Sequence, residues 1–324
     1  MRSFALSGIL CAVLAVGPAC RAYDFSGLIF YEYSHDATKG GTEDGRFEVG
    51  RAYLTLSESP TENVSYKLQL DVGRAGSDTG DMALEAYLKT ASASWKTDWG
   101  TFIFGMQGMN MFKVQESTFG NRFLSKALMD EHKFSSSADM GLGYTNRFGE
   151  LFSGSVLVTN GEGYKKPESD KYKKISLQVL AGEAALSKHT GWNAGVVYSM
   201  EPISKDDSRT VMGLFGGYAL EEGRVGIEFD TKTTTGVTDI TEQIIGFYGV
   251  WKLPLSLPME LLAQLDLMDP DTNTDKDGET GLVLGLKLNP AKGLVIAPNI
   301  RTISYEADGV ETDTWYRVNF EFKI

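Results

Sequence analysis

NVSYKLQLDV, residues Asn63 to Val72, puts Val64, Tyr66, Leu68, Leu70 and Val72 on one side of an extended chain and Asn63, Ser65, Lys67, Gln69 and Asp71 on the other. A strand turns successive side chains to opposite faces, so this segment has one apolar and one polar face. The same pattern sets Leu282, Leu284, Leu286 and Leu288 against Gly281, Val283, Gly285 and Lys287. It closes the chain with Tyr316, Val318, Phe320, Phe322 and Ile324 against Arg317, Asn319, Glu321 and Lys323. Sixteen such segments are expected, beginning near Tyr23, Arg46, Asn63, Ala83, Thr101, Ala138, Glu150, Lys174, Gly191, Arg209, Arg224, Thr241, Met259, Glu279, Leu294 and Thr314.

The connections between these segments alternate in length. Ser59–Glu62, Thr97–Gly100, Asn146–Gly149, Lys188–Gly191, Glu221–Gly223, Leu253–Pro258 and Pro290–Gly293 are short. Between them fall Asp36–Gly45, Arg74–Asp81, Gly108–Ser137, Asn160–Tyr172, Glu201–Asp207, Asp230–Ile240, Asp269–Gly278 and Glu306–Glu311, which are longer. Short turns at one end and long loops at the other are the asymmetry of an outer-membrane barrel, and an even strand number brings both termini to the turn side. A secreted sandwich or soluble barrel would point its apolar faces inward and needs no such asymmetry. The fold class expected is therefore all-β, a transmembrane antiparallel barrel with its apolar face toward lipid.

Met1–Ala22 carries an early Arg2, an apolar run from Phe4 to Val16 and a small-residue end, which reads as a secretory signal cleaved after Ala22; the competing reading is a lipoprotein signal cut before Cys20. Residues 23–324 then form the barrel. Both cysteines, Cys11 and Cys20, fall inside the signal, so no disulfide framework is expected. Loss of Arg2 and Arg21 leaves 29 basic against 43 acidic residues, a formal charge of −14, which argues against a nucleic-acid partner. No later apolar run approaches the length of a membrane helix.

Gly108–Ser137 is too long for a hairpin turn and lacks sustained alternation, yet it carries Met109, Met111, Phe112, Phe119, Phe123, Leu124, Leu128, Met129 and Phe134. Loops of this length are usually functional or disordered, and this much apolar surface argues for packing. As the third long loop of a wide barrel, it is expected to fold inward and narrow an aqueous lumen. No helix is predicted within it.

FEVGRAYLTLSESPTENVSYKLQLDV (Phe47–Val72), FGNRFLSKA (Phe119–Ala127), ADMGLGY (Ala138–Tyr144), VTNGEG (Val158–Gly163) and the DPDTNTDKDGE loop followed by Gly281–Leu286 resemble the phosphate-selective porin O and P family over nearly the whole chain after Ala22. The resemblance implies a homotrimeric sixteen-stranded porin of a Gram-negative outer membrane that passes small anions such as phosphate along a pore lined by basic residues.

Alternation assigns Arg51, Lys67, Lys89, Arg224, Lys287, Arg301, Arg317 and Lys323 to the lumen, together with Asp71, Glu85, Glu228, Asp230, Glu260, Asp266 and Glu321. The lumen is thus expected to be mixed in charge. Within the third loop, Lys113, Arg122 and Lys126 are the expected constriction residues, since charges at a narrowing set ion preference. Anchoring of the loop to wall carboxylates is the competing role. Asp271, Asn273, Asp275 and Asp277 resemble the start of a calcium loop, but the closing bidentate acid is replaced by Val283 or Leu284, so a solvated acidic loop is expected. His35, His132 and His189 lie apart from any serine motif or metal-ligand spacing, and no cofactor is expected. A diffusion channel is the expected function; the alternative is a barrel used as an enzyme or attachment protein.

Overall fold

The computed structural model describes residues 23–41, 44–74 and 83–324. The expected signal segment, with both cysteines, lies outside the described residues. The strands are β1 (Asp24–Asp36), β2 (Gly45–Glu58), β3 (Val64–Arg74), β4 (Leu84–Thr97), β5 (Gly100–Gly108), β6 (Ala138–Phe148), β7 (Phe152–Thr159) and β8 (Lys174–Gly182). The second half adds β9 (Gly191–Pro202), β10 (Ser208–Ala219), β11 (Gly223–Thr235), β12 (Ile240–Lys252), β13 (Met259–Asp269), β14 (Glu279–Ala291), β15 (Leu294–Tyr305) and β16 (Asp313–Lys323). Each pairs antiparallel with its neighbours, and β16 returns to β1 from Leu28↔Lys323 to Asp36↔Trp315, so the sheet has no free edge. Closure satisfies every strand's backbone groups without water, which a sheet in hydrocarbon requires. Every strand begins within two residues of the position read from alternation.

The outer surface is apolar. Leu54, Leu68, Leu142, Leu214, Phe247 and Leu284 all stand exposed on it. Near the short turns Trp95, Trp99, Phe148, Phe152, Trp192, Tyr218 and Trp251 are also exposed. Amphipathic rings settle at a membrane–water boundary, so these residues mark one rim of a lipid-facing belt. The start of β1 and the end of β16 lie at that rim, which makes it the periplasmic end.

Two connections differ from the expected lengths. β11 continues through Thr231, Lys232, Thr233, Thr234 and Thr235, leaving only residues 236–239 as a loop where Asp230–Ile240 was expected. β-branched threonines fit a pleated strand, and their polarity suits a lumen or rim, so composition alone mimicked a loop. At the opposite end, the connection after β8 spans residues 183–190 rather than beginning at Lys188, and it folds into the barrel with Leu186 only 3% exposed.

Candidate functional site

The third loop, residues 109–137, crosses the barrel interior. It contains two short helices, α1 (Lys113–Phe119) and α2 (Leu128–Glu131), where none was predicted. Val114, Gln115, Thr118 and Phe119 form the buried face of α1, but a seven-residue helix offers too few turns for periodicity to stand out in sequence. Gly120, in the left-handed region at φ 69°, ends α1, with its N–H donating to the Glu116 carbonyl at 2.8 Å.

α1 and α2 lie against the wall formed by β8–β13. Met111, Phe112, Val114, Leu128, Met129 and Phe134 pack with inward-pointing Leu180, Val197, Val211, Phe215, Ile244 and Met268. Apolar residues on a lumen face would be out of place in a water-filled pore; here each is sealed by the loop, at about 1.5–3 kcal/mol per fully buried side chain. The backbone of the wall makes room for it. A Cβ on Gly246 would lie 2.2 Å from Leu128 Cδ1, and one on Gly213 2.5 Å from Met129 Cε.

Polar contacts fix the end of α1. Arg224 donates Nε to the Thr118 carbonyl at 2.8 Å and Nη2 to the Phe119 carbonyl at 2.7 Å, satisfying acceptors that a helix C-terminus leaves open. From the periplasmic side, Ser187 of the inward-folded turn donates its N–H to the Ser117 carbonyl at 3.2 Å. Arg224 thus points inward and grips the loop, and the cavity it borders, ≈ 340 Å³, lies beneath the loop at the periplasmic end beside residues 186–190. Glu228 and Asp230 on β11 and Asp266 on β13 are likewise covered, with exposures of 1%, 0% and 8%.

The tip of the loop reaches the opposite wall. Asn319 on β16 donates to the Phe123 carbonyl at 3.1 Å, Phe123 meets Phe30 of β1 with ring centroids 6.4 Å apart, and Arg301 on β15 pairs with Glu131 at 2.6 Å. Burial raises the Glu131 carboxyl, but Arg301 and then Lys126, 3.2 Å away, outweigh it and hold it at about 2. Arg122 is ion-paired with Glu116 and, at 2.8 Å, with Asp130. Burial opposes its charge, yet the two acids more than offset this and raise its pKa above the ordinary arginine value. Lys113 makes no ion pair among the described residues.

Two cavities that share Arg122 and Phe30 remain open beside the loop. The outer, ≈ 380 Å³, is lined by Arg51, Arg122, Lys126, Arg301 and Arg317 against Glu32 and Glu131. The inner, ≈ 610 Å³, is lined by Lys67, Lys89, Lys113, Arg122 and Lys323 against Glu116 and Glu321. Lys287 stands apart from both, paired with Glu260 at 2.9 Å. A bulge between Gln69 and Leu70 turns both Lys89 and Thr90 of β4 inward. Lys89 Nζ sits 5.0 Å from the Tyr53 and Tyr164 rings and 3.8 Å from Asp71, a carboxylate that Arg51 also approaches at 3.5 Å.

Tyr164 was not singled out from the sequence. It enters from the fourth long loop, its N–H donating to the Ala138 carbonyl at 3.1 Å, immediately after Gly161 and Gly163, both at positive φ. The GEGY glycines are the signal that could have shown it, since a Cβ at Gly163 would crowd Ser136 at 3.0 Å.

Solved structures share this architecture. Residues covering 98% of the chain superpose on 97% of Pseudomonas putida OprB with a TM-score of 0.70 at 12% identity. An anion-selective porin from Comamonas acidovorans gives 0.68 at 14% identity, over 94% of this chain and 99% of that one. Salmonella typhi OmpF gives 0.67 at 12%, over 93% and 97%. The fold is the porin barrel. No protein-family model and no curated protein sequence matches the chain. Porin barrels reside in outer membranes, and the closed sheet, apolar belt and aromatic rim place this chain in the outer membrane of a Gram-negative bacterium.

Proposed function

We propose that the chain is a passive diffusion channel for small hydrophilic solutes, with a preference for anions, inorganic phosphate among them, and that it works as a homotrimer. The observation that carries the preference is the lining on either side of the waist, where each cavity counts five basic residues against two acids. The chain's excess of acid lies elsewhere, under the loop and in exposed segments such as Asp271–Asp277. Charges at a narrowing act on the solute directly, whereas surface charge is screened within about 10 Å at 0.1 M salt. Arg122 and Lys126 stand at the narrowing, but Glu116, Asp130 and Glu131 offset them, so Arg51, Lys67, Lys89 and Lys113 contribute much of the local positive field. Transport needs no covalent chemistry: size exclusion at the loop tip and this field suffice. Trimer formation is supported by the fold alone; a trimer form of Vibrio cholerae OmpT is among the similar structures, at 15% identity and a TM-score of 0.63 over 94% of this chain and 99% of that one.

The test is the reversal potential of purified protein in a planar bilayer under a KCl gradient. An unmutated channel that favours chloride, with Arg122→Glu/Lys126→Glu shifted toward potassium, is the expected result. Strong cation selectivity of the unmutated channel would overturn the reading. An unshifted double mutant would remove Arg122 and Lys126 from the selectivity device and leave it to the wall lysines.

A further inference from the structure

The inner cavity has a feature that a plain anion pore does not require: cationic groups and neutral hydrogen-bonding groups are interleaved around one space, and several lack a protein partner. Lys67 projects from β3 and Lys113 from α1, and among the described residues neither makes an ion pair. Each nevertheless faces the other's positive charge. Lys89 stands on β4, the strand next to Lys67's, and is 94% buried; its ammonium has no hydrogen-bond acceptor within the protein, and its nearest carboxylate, Asp71, is shared with Arg51. A buried ammonium without an acceptor is costly to maintain and takes up any acceptor that arrives. The acids of this cavity are already engaged, Glu116 with Arg122 and Glu321 with Lys323 at 2.6 Å.

Between these cations lie groups of another kind. Thr90, Ser92 and Gln107 line the same space. Gln107 is 3% exposed, and its Oε1 is a buried acceptor with no donor, while its Nε2 donates to the Gly141 carbonyl at 3.2 Å. A halide answers the ammonium groups but offers Gln107 no donor, and hydrogen phosphate, with one or two P–OH groups on a single compact centre, cannot reach Gln107, Thr90 and Ser92 together. A neutral sugar answers Gln107 and the hydroxyls but leaves three ammonium groups unmatched. A solute carrying both a carboxylate and several hydroxyls answers both sets, and ≈ 610 Å³ is within the range of small-ligand pockets.

Resting on the anion-channel reading, we infer that the inner cavity is a binding station for hydroxylated organic carboxylates of the sugar-acid class, with Lys67, Lys89 and Lys113 taking the carboxylate and Thr90, Ser92 and Gln107 the hydroxyls. A station below the waist raises the local concentration of such solutes and favours their passage over that of neutral sugars of equal size. It binds weakly enough to release them, since each contact is made from one side of an open chamber.

The experiment uses purified full-length protein in planar bilayers under symmetric KCl and measures the concentration that halves the chloride current for four probes: glucuronate, propionate, inorganic phosphate and glucose. Glucuronate is expected to act at about tenfold lower concentration than propionate or phosphate, the worth of one to two added hydrogen bonds, and glucose to have no effect at that concentration. Lys67→Gln/Lys113→Gln is expected to weaken the glucuronate effect about tenfold, and Thr90→Val/Ser92→Ala to bring glucuronate down to the level of propionate. Phosphate or propionate acting as well as glucuronate would overturn the inference while leaving the anion channel standing, as would an unchanged glucuronate effect in the lysine variant when its heat-modifiable gel mobility shows a folded barrel. A channel that does not favour chloride over potassium would overturn both.

Discussion

The wall under β8–β13 and the wall formed by β2–β5 are built from the same alternation, yet they hold opposite chemistry. On the first, Val197, Val211, Ile244 and Leu262 point inward and are completely buried; on the second, Lys67, Lys89, Thr90 and Ser92 point inward and line an open cavity. Inward is therefore not a synonym for wet. The third loop decides which half of the lumen behaves as a protein core and which as a channel, and the two halves should respond differently to the same substitution.

The sharpest contrast comes from placing a lysine on each wall. Val211→Lys puts a charge beneath the loop beside Lys232, whose own acid Glu242 is already engaged at 2.6 Å, an uncompensated burial worth about 3–5 kcal/mol, and the loop should be displaced, with higher and noisier single-channel conductance. Ser92→Lys points into the open cavity and should leave denaturation within about 0.5 kcal/mol of the parent. Similar destabilisation of the two would erase the distinction between the walls. Next in size is the exterior: Leu68→Arg faces lipid and should cost about 2–4 kcal/mol in barrel stability in vesicles, while neighbouring Lys67→Leu should be tolerated. The reverse outcome would shift the register of β3 by one residue.

Smaller effects test the fastenings of the loop. Arg224→Ala leaves the Thr118 and Phe119 carbonyls without their donors and should cost about 1–3 kcal/mol, seen as increased current noise in an otherwise intact barrel. The smallest is set by pH. The Glu131 carboxyl is held at about 2 in the folded protein, below its ordinary value of 4.5, so its contribution is fully present above 4.5 and is lost as pH falls from there through about 2. Conductance noise should rise across that window, and Glu131→Gln should flatten the change. A rise centred near neutrality would exclude Glu131 as its source.

The architecture was legible in the sequence where alternation was clean, as in Asn63–Val72 and Glu279–Leu288, because one face meets lipid and the other does not. The inward course of the third loop was legible from its length and its apolar residues. The wall it covers was not. In β12, IIGFYGVW presents apolar side chains to both faces, so periodicity gives no sign that Ile244 and Val250 are sealed by another segment. Candidate site residues were legible as charges on a face, but their division between gripping and lining was not: Arg224 and Lys67 carry the same sign on the same side, and only the position of α1 separates them. The bulge that turns Lys89 and Thr90 inward together is equally invisible to a strict two-residue period.

The amide of Asn319 donates at once to Glu32 of β1, at 2.9 Å, and to the Phe123 carbonyl at the loop tip. β1 and β16 are the strands farthest apart in the chain, and joining them carries the largest loop-closure entropy of any pairing in the barrel. The tip therefore has no complete seat until the cylinder has closed. In kinetic terms, narrowing of the pore is a late event, timed by the seam, and an unclosed sheet in the membrane has not yet acquired its filter.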